Sequence, residues 1–380
     1  MGPLNGFKIV EIAGIGPGQL CGMLLADMGA QVIRIGRLTD ADLGVPLHAK
    51  HDLMNRSRPA IAVDLKHSDG VELVLRLCQE ADALFEGFRP GVMERLGLGP
   101  NECMGRNQRL VYARMTGWGQ SGPLADSVGH DGNYIGLSGV LSTIGGKDGQ
   151  PVVPLNLVGD FGGGALYLAV GMLAAMLEAG KSGEGQIVDA AMVDGTASLM
   201  TMFYGLRAAG MWNDERGTNI LDGGAPFYRT YATKDNKSVV VCAIEKRFFR
   251  ALLEALSIND IDPKAQFDSG KWPEHTARFE AVFCTKTRDE WSKLMQGSDA
   301  CFAPVLSMTE APDHPHIKAR KTYVEVDGIV QPGPAPRFSR TVSEIGNAPA
   351  EAGSGTEAAL ADWGVSVAEV ARLLDTGVIR

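Results

Sequence analysis

The N-terminal run of strand, glycine-rich turn, helix and second strand constrains this chain more than any other feature. Phe7–Ile12 (FKIVEI) is strand-like, Gly14-Ile15-Gly16-Pro17-Gly18 follows, Gln19–Met28 is helix-like and stopped by Gly29, and Gln31–Ile35 (QVIRI) is the next strand. Parallel strands need a crossover, so this pattern is a βαβ unit. The glycines invite comparison with a nicotinamide-binding turn, but the pattern fails. Gln19 stands where the third glycine belongs, Pro17 intervenes, and the second strand ends in Arg34 and Arg37 where a ribose-binding acid is required.

Further strands are expected at Ala60–Leu65, Ala83–Glu86 and Leu110–Met115, with a helix at Val71–Gln79 capped by Ser68-Asp69. Basic residues recur near the strand ends: Arg37, Lys66 and Arg89, with Arg95 shortly after. A solvated surface position accounts for any one of them. Together, at the carboxyl ends of strands in an open α/β sheet, they would hold a polyphosphate. Beyond this region Phe161–Leu177 is expected as a buried core helix that does not span a membrane. Gln186–Asp189 is expected as a short strand and Ala190–Trp212 as one long apolar helix rich in methionine. Methionine stripes are ordinarily core filler; the functional alternative is an adaptable surface for a bulky acyl chain.

After Trp212 the character changes. Asn213–Gly224 is polar and turn-rich, and Pro226–Thr233 and Ser238–Ile244 form a hairpin around Lys234-Asp235-Asn236-Lys237. Glu245 opens a helix at Arg247–Leu256, Cys301–Leu306 is a strand, the segment through Arg340 is irregular, and Ser366 caps a last helix. The 380 residues suffice for two domains. The expected division is a large domain over 1–190, a linker helix and connector over 191–224, a small domain over 225–315, and a return segment over 316–380 that completes the large domain. A formal net charge of -9 with no basic run argues against nucleic acid as the partner. The six cysteines form no CxxC pair and lack zinc-ligand spacing, so no metal is expected. No signal peptide, membrane span or peroxisomal signal is evident, which makes the cytoplasm the expected compartment.

The chemistry concentrates in Gly129–Gly164, GHDGNYIGLSGVLSTIGGKDGQPVVPLNLVGDFGGG. His130 opens one expected helix and Asp160 the next, each beside glycines that let backbone approach a ligand. Histidine titrates near neutrality, and a partly buried aspartate can be tuned upward to act as an acid. Two such groups can exchange the α-proton of an acyl thioester if oriented N–H donors hold the enolate oxygen, and the Asp131 N–H at a helix start is one candidate. Each also has an ordinary role: a capping histidine, a helix N-cap aspartate. Spacing does not choose between them. Glu245 could fix the histidine tautomer, or be a dipole-favoured surface acid.

Across these residues the chain resembles the family III coenzyme A transferase superfamily and, within it, the α-methylacyl-CoA racemases. The carrying segments are Gly14–Gly18, Asp64–Lys66, Phe88–Pro100, Tyr112–Pro123, Gly129–Tyr134, Pro154–Gly164, Val188–Gly195 and Leu221–Tyr228, with Ala303–Val305 and Ala335–Ser339 later. The resemblance implies a Rossmann-like large domain plus a small α+β domain in an interlocked, ring-like homodimer. It implies an acyl-CoA thioester substrate, with no catalytic cofactor beyond the CoA of that substrate and no nucleic-acid or membrane partner. His130 and Asp160 would be the two bases, Asp131 an enolate donor, and Glu245 the histidine's partner, reaching in from the other subunit. Ile15, Arg37, Val63, Asp64, Leu65, Lys66, Gly87, Arg89, Arg95 and Tyr134 match the coenzyme A site. The transferases share the aspartate as a nucleophile, and the histidine marks the racemases. Gly132 and Arg229 depart from the family's usual residues, an apolar one and an acid, which bears on the acyl group.

Overall fold

Six strands rich in apolar residues, β1 (Lys8–Ile12), β2 (Gln31–Gly36), β3 (Ala60–Ala62), β4 (Ala83–Glu86), β5 (Val111–Thr116) and β6 (Ile187–Ala191), form one sheet in the order β3-β2-β1-β4-β5-β6. Every neighbouring pair is parallel. The computed structural model describes residues 2–39, 44–45 and 47–380. Side chains alternate between the two faces of a strand, and each face has its own apolar cluster. Val10, Ile33, Leu84 and Tyr112 face one cluster with the helices Ser68–Glu80 and Val367–Asp375. Ile9, Val32, Phe85 and Ala113 face the other with the helices Pro17–Asp27 and Leu166–Ser182. The sheet is thus doubly wound. Its order reverses between β1 and β4, the point at which such sheets bind ligands beyond their carboxyl ends.

The chain divides into two compact units: Met1–Ser138, Leu155–Leu199 and Lys321–Arg380 in the first, Gly139–Pro154 and Met200–Arg320 in the second. The second is built on the antiparallel sheet β7 (Tyr228–Ala232), β8 (Ser238–Cys242) and β9 (Phe302–Pro304). Its core contains Phe227, Phe249, Phe279, Phe283 and Trp291. Residues 139–154, expected in the large domain, belong to this second unit. The Arg216 guanidinium donates to the carbonyls of Ser142, Gly146 and Gly149 at 3.2, 3.1 and 2.6 Å and binds the segment there.

Several elements differ from expectation. The long helix over Ala190–Trp212 is two helices, Met192–Leu199 and Thr201–Ala208, one in each unit. The segment before Arg340, expected to be irregular, contains a hairpin of β10 (Tyr323–Val326) and β11 (Ile329–Pro332), turned by Asp327 and Gly328 at φ 50° and 75°. The cap of Ser68–Glu80 is His67, whose side chain accepts from the Asp69 N–H. The apolar run after Asn156 begins as a π-helix, Leu157–Ala165, and continues as Leu166–Ser182. Leu157–Ser182 is long and apolar enough to cross a membrane. Only one of its faces is buried, through Leu168, Met172 and Met176, while Leu166, Val170 and Leu177 are exposed. Its expected full burial is therefore corrected.

Candidate active site

The site starts from glycines that permit backbone contact. A Cβ on Gly195 would lie 1.9 Å from the Gly163 carbonyl oxygen, and one on Gly163 would lie 2.4 Å from the Thr196 side chain. Only glycine lets the helix Met192–Leu199 press on the π-helical segment this closely. Asp160 lies in the first turn of that segment and not at the start of an α-helix as expected. Widened turns of this kind recur at functional sites. A Cβ on Gly159 would meet the Asp131 carboxylate at 2.1 Å. The buried Asp131 carboxylate accepts from the Asp160 N–H at 3.0 Å. It braces Asp160 against the helix Asp131–Leu137, whose N-cap is His130.

His130 and Asp160 line one cavity of about 980 Å³ in the first unit. Its walls include the turn after β1 (Gly14 to Gln19), the turn after β4 (Gly87 to Pro90), and Trp118, Tyr134, Asn156 and Met192. The cavity therefore sits at the switch point of the sheet. Burial raises the Asp160 pKa and the Asp131 charge adds to this, while the Asn156 side chain and His130 oppose it. Asn156 Nδ2 donates to Asp160 Oδ2 at 3.0 Å. The glycine-rich turn has an unforeseen part: a Cβ on Gly16, at φ +69°, would lie 2.8 Å from Asp160 Oδ2. That turn makes room for the carboxylate.

The remaining expected residues separate into those at the cavity and those away from it. Ile15, Gly87, Arg89 and Tyr134 line it. Tyr134 is held between glycines: a Cβ on Gly117 or Gly129 would strike its ring at 2.0 or 2.8 Å. Its hydroxyl donates to the Gly129 carbonyl, and Trp118 packs edge-on at 4.7 Å. Burial and Asp160 raise its pKa, opposed by Arg89. Arg37 is not in the lining, but its guanidinium lies 5.8 Å from the ring centre of Phe88, which is. Phe88 in turn donates its N–H to Glu86 Oε2 at 2.6 Å. Burial pushes the Glu86 carboxyl up to about 7, against that N–H and Arg114, with Glu94 adding to the rise.

Val63, Asp64, Leu65, Lys66 and Arg95 are absent from the lining. Val63 bridges to Ile379, the Asp64 N–H donates to the Val378 carbonyl at 2.9 Å, and Leu65 packs on the first apolar cluster. The Asp64 side chain accepts from the Lys66 N–H at 2.9 Å. Arg95 ends the short helix Val92–Arg95 with an exposed side chain. Arg34 is spent on structure: its Nε lies 3.3 Å from buried Glu11. Glu245 is the N-cap of the helix Lys246–Ala255 in the second unit. That unit has a cavity of its own, about 1020 Å³, lined by Lys147, Asp222, Arg229 and Trp272 among others. It contains neither His130 nor Asp160, so chemistry and not size selects the cavity of the first unit. Arg229 there lies 3.8 Å from the Glu280 carboxylate and over the Tyr231 ring. Among the described residues, no group of three or more His, Cys, Asp or Glu could hold a metal ion.

Sequence reasoning missed Asn156, Phe88 and the role of Gly16. For Asn156 the signal was its placement four residues before Asp160. The contact of Gly16 is long-range and leaves no local mark.

The model of CoA-transferase family III matches residues 4–355. An alpha-methylacyl-CoA racemase of Mus musculus is 43% identical over 381 residues, 99% of this chain and 97% of that protein. The Homo sapiens alpha-methylacyl-CoA racemase is 39% identical, with 99% and 97% covered. Among solved structures, a CaiB/BaiF family protein from Brucella suis shares the fold. Its TM-score is 0.79 at 24% identity, covering 95% of this chain and 99% of that one.

Proposed function

The chain belongs to CoA-transferase family III, and from that premise we propose that it racemises 2-methyl-branched acyl-CoA thioesters at C2 by two-base proton transfer. One observation carries the proposal: His130 and Asp160 line a single cavity at the switch point of the sheet. The family's transfer chemistry needs only the aspartate. A histidine in the same cavity supplies the second proton-transfer group that inversion requires. The racemase relatives, similar over nearly the whole chain, support the same substrate class.

In this reaction one of the two residues takes the C2 proton and the other returns one to the opposite face. Burial raises the Asp160 pKa, which suits a carboxyl that must hold a proton in one direction and accept one in the other. The Asp131 N–H, in the first turn of its helix, has no intrahelical partner and is the proposed donor to the enolate oxygen. The Asp160 N–H is already committed to the Asp131 carboxylate. Arg89 lines the cavity and Arg37 stacks on Phe88 at its wall; both would meet the phosphates of coenzyme A. We further place the working protein as a homodimer in which the partner's Glu245 supports His130. The exposed Leu166, Val170 and Leu177 are suited to a protein partner.

The test is incubation of one enantiomer of a 2-methylacyl-CoA in D₂O without an acceptor acid. The expected result is deuterium at C2 with loss of enantiomeric purity. No exchange across several acyl groups would sink the proposal. The second reading, coenzyme A transfer with Asp160 as nucleophile, is favoured by the family's other chemistry. It predicts no exchange, movement of coenzyme A to added carboxylates, and an acyl-enzyme trapped by hydroxylamine.

A further inference from the structure

Gln19 breaks the glycine pattern of the first turn, and the proton chemistry leaves it without a role. It is 6% exposed and lines the cavity. Its Oε1 accepts from the Gly16 N–H at 3.1 Å. In a phosphate-binding turn the early backbone N–H groups face the ligand; here a side chain has taken one of them. On its other side Gln19 Nε2 donates to Asp52 Oδ2 at 3.1 Å and to Asn55 Oδ1 at 3.3 Å. Asn55 Nδ2 also donates to Asp52 Oδ2 at 2.7 Å.

These acceptors are anchored in turn. The Arg58 guanidinium donates to Asn55 Oδ1 at 3.2 Å, to the Met54 carbonyl, and to the carboxylate of Glu11 on β1. The Arg58 and Glu11 side chains are 0% and 1% exposed. Gly22 admits the guanidinium beneath the helix Pro17–Asp27: a Cβ there would lie 1.9 Å from Arg58 Nη1. A hydrogen-bonded chain therefore runs from a buried ion pair on the central strand, through Asn55 and Gln19, to Gly16. Gly16 abuts Asp160 Oδ2.

We propose that Gln19 is a positioning residue for the proposed proton transfer, clamping the Gly16 turn against the Asp160 carboxylate and keeping water from that side of it. This rests on the reading of Asp160 as an acid–base group. The other groups acting on Asp160 are Asp131 and His130 by charge and Asn156 by hydrogen bond, with Tyr134 also coupled to it. None of them reaches it through the Gly16 turn. Burial is the first cause of the raised Asp160 pKa, so loosening the turn admits water and returns that pKa toward its ordinary value.

The test compares Gln19→Met, which keeps the bulk and removes every hydrogen bond, with Gln19→Glu, which keeps an acceptor for the Gly16 N–H. C2 deuterium exchange is followed across pH; kcat/KM has one bell-shaped profile common to both enantiomers, because their ratio is fixed by the equilibrium constant, and its lower limb is the one that a change at the Asp160 carboxylate moves. Gln19→Met is expected to lower kcat by about tenfold and to move the lower limb to lower pH. Gln19→Glu should not move that limb downward. An unmoved limb in Gln19→Met, or an equal downward shift in Gln19→Glu, overturns the inference. If Gln19→Met fails to fold, Asn55→Ala, which removes an acceptor of Gln19 Nε2, takes its place, with the same downward shift expected and an unmoved limb overturning the inference. Asp160→Asn is run alongside: retained exchange there defeats the acid–base reading of Asp160 itself, and the inference falls with it. If Asp160→Asn is inactive while Gln19→Met is normal, the Gln19 role alone fails.

Discussion

Gly16→Ala is the sharpest perturbation of the site, because one added carbon meets the carboxylate directly. The new Cβ would lie 2.8 Å from Asp160 Oδ2 and 3.3 Å from its Cγ, about 0.6 Å short of ordinary contact at the nearer atom. Two costs follow. The backbone at φ 69°, ψ -114° suits glycine, and alanine there loses about 1–3 kcal/mol of stability. The carboxylate must also retreat, lengthening its 3.0 Å hydrogen bond from Asn156. A misplacement of about 1 Å costs roughly a hundredfold in rate. About 0.6 Å then corresponds to roughly 10- to 20-fold, or about 1.4–1.8 kcal/mol of barrier. The assay is initial-rate C2 deuterium exchange at saturating thioester, with a thermal melt of the same sample to establish that it is folded. Gly105→Ala serves as a control, since its Cβ meets nothing within 4 Å and its melt should not fall. A folded Gly16→Ala protein with kcat within about twofold of wild type would refute the close packing of this turn on Asp160.

Three further substitutions test the charged and titratable groups. Arg58→Met leaves Glu11 buried with only Arg34 nearby; a loss of about 3–5 kcal/mol is expected in urea denaturation, and a loss below about 1 kcal/mol would show that the pair is not structural. Arg37→Ala should weaken binding of coenzyme A, measured by calorimetry, while His130→Ala should abolish inversion and leave that affinity largely intact; the opposite pattern would reverse their assigned roles.

The sheet was legible because its strands are short apolar runs punctuated by glycine, which are local signals. Expected Ala83–Glu86 coincides with β4, and the other strands of that sheet expected before residue 120 shift by only a few residues. His130 at a helix start was legible for the same reason. The π-helical turn at Asp160 was not, because the backbone it packs against, at Gly195 and Thr196, lies more than thirty residues away. The structural role of Arg34 was not legible, because its partner Glu11 sits on a neighbouring strand. The single helix expected over Ala190–Trp212 is a mostly apolar run, and composition does not register that the chain passes from one compact unit to the other between Leu199 and Met200. The β10–β11 hairpin had a visible Asp327-Gly328 signal, hidden by the surrounding prolines.

Beside β3, Ala62 and Arg380 exchange backbone hydrogen bonds at 3.3 and 2.9 Å, Asp64 pairs with Val378, and Thr356 Oγ1 donates to the Arg380 carbonyl. The outermost strand of the large sheet is thereby closed with backbone from the far end of the sequence. An open strand edge recruits other chains, so this seam guards against aggregation. Loss of 378–380 would uncover β3 and also take Val378 and Ile379 out of the core cluster that holds Val10 and Ile33, so self-association in light scattering is expected together with a lower melt.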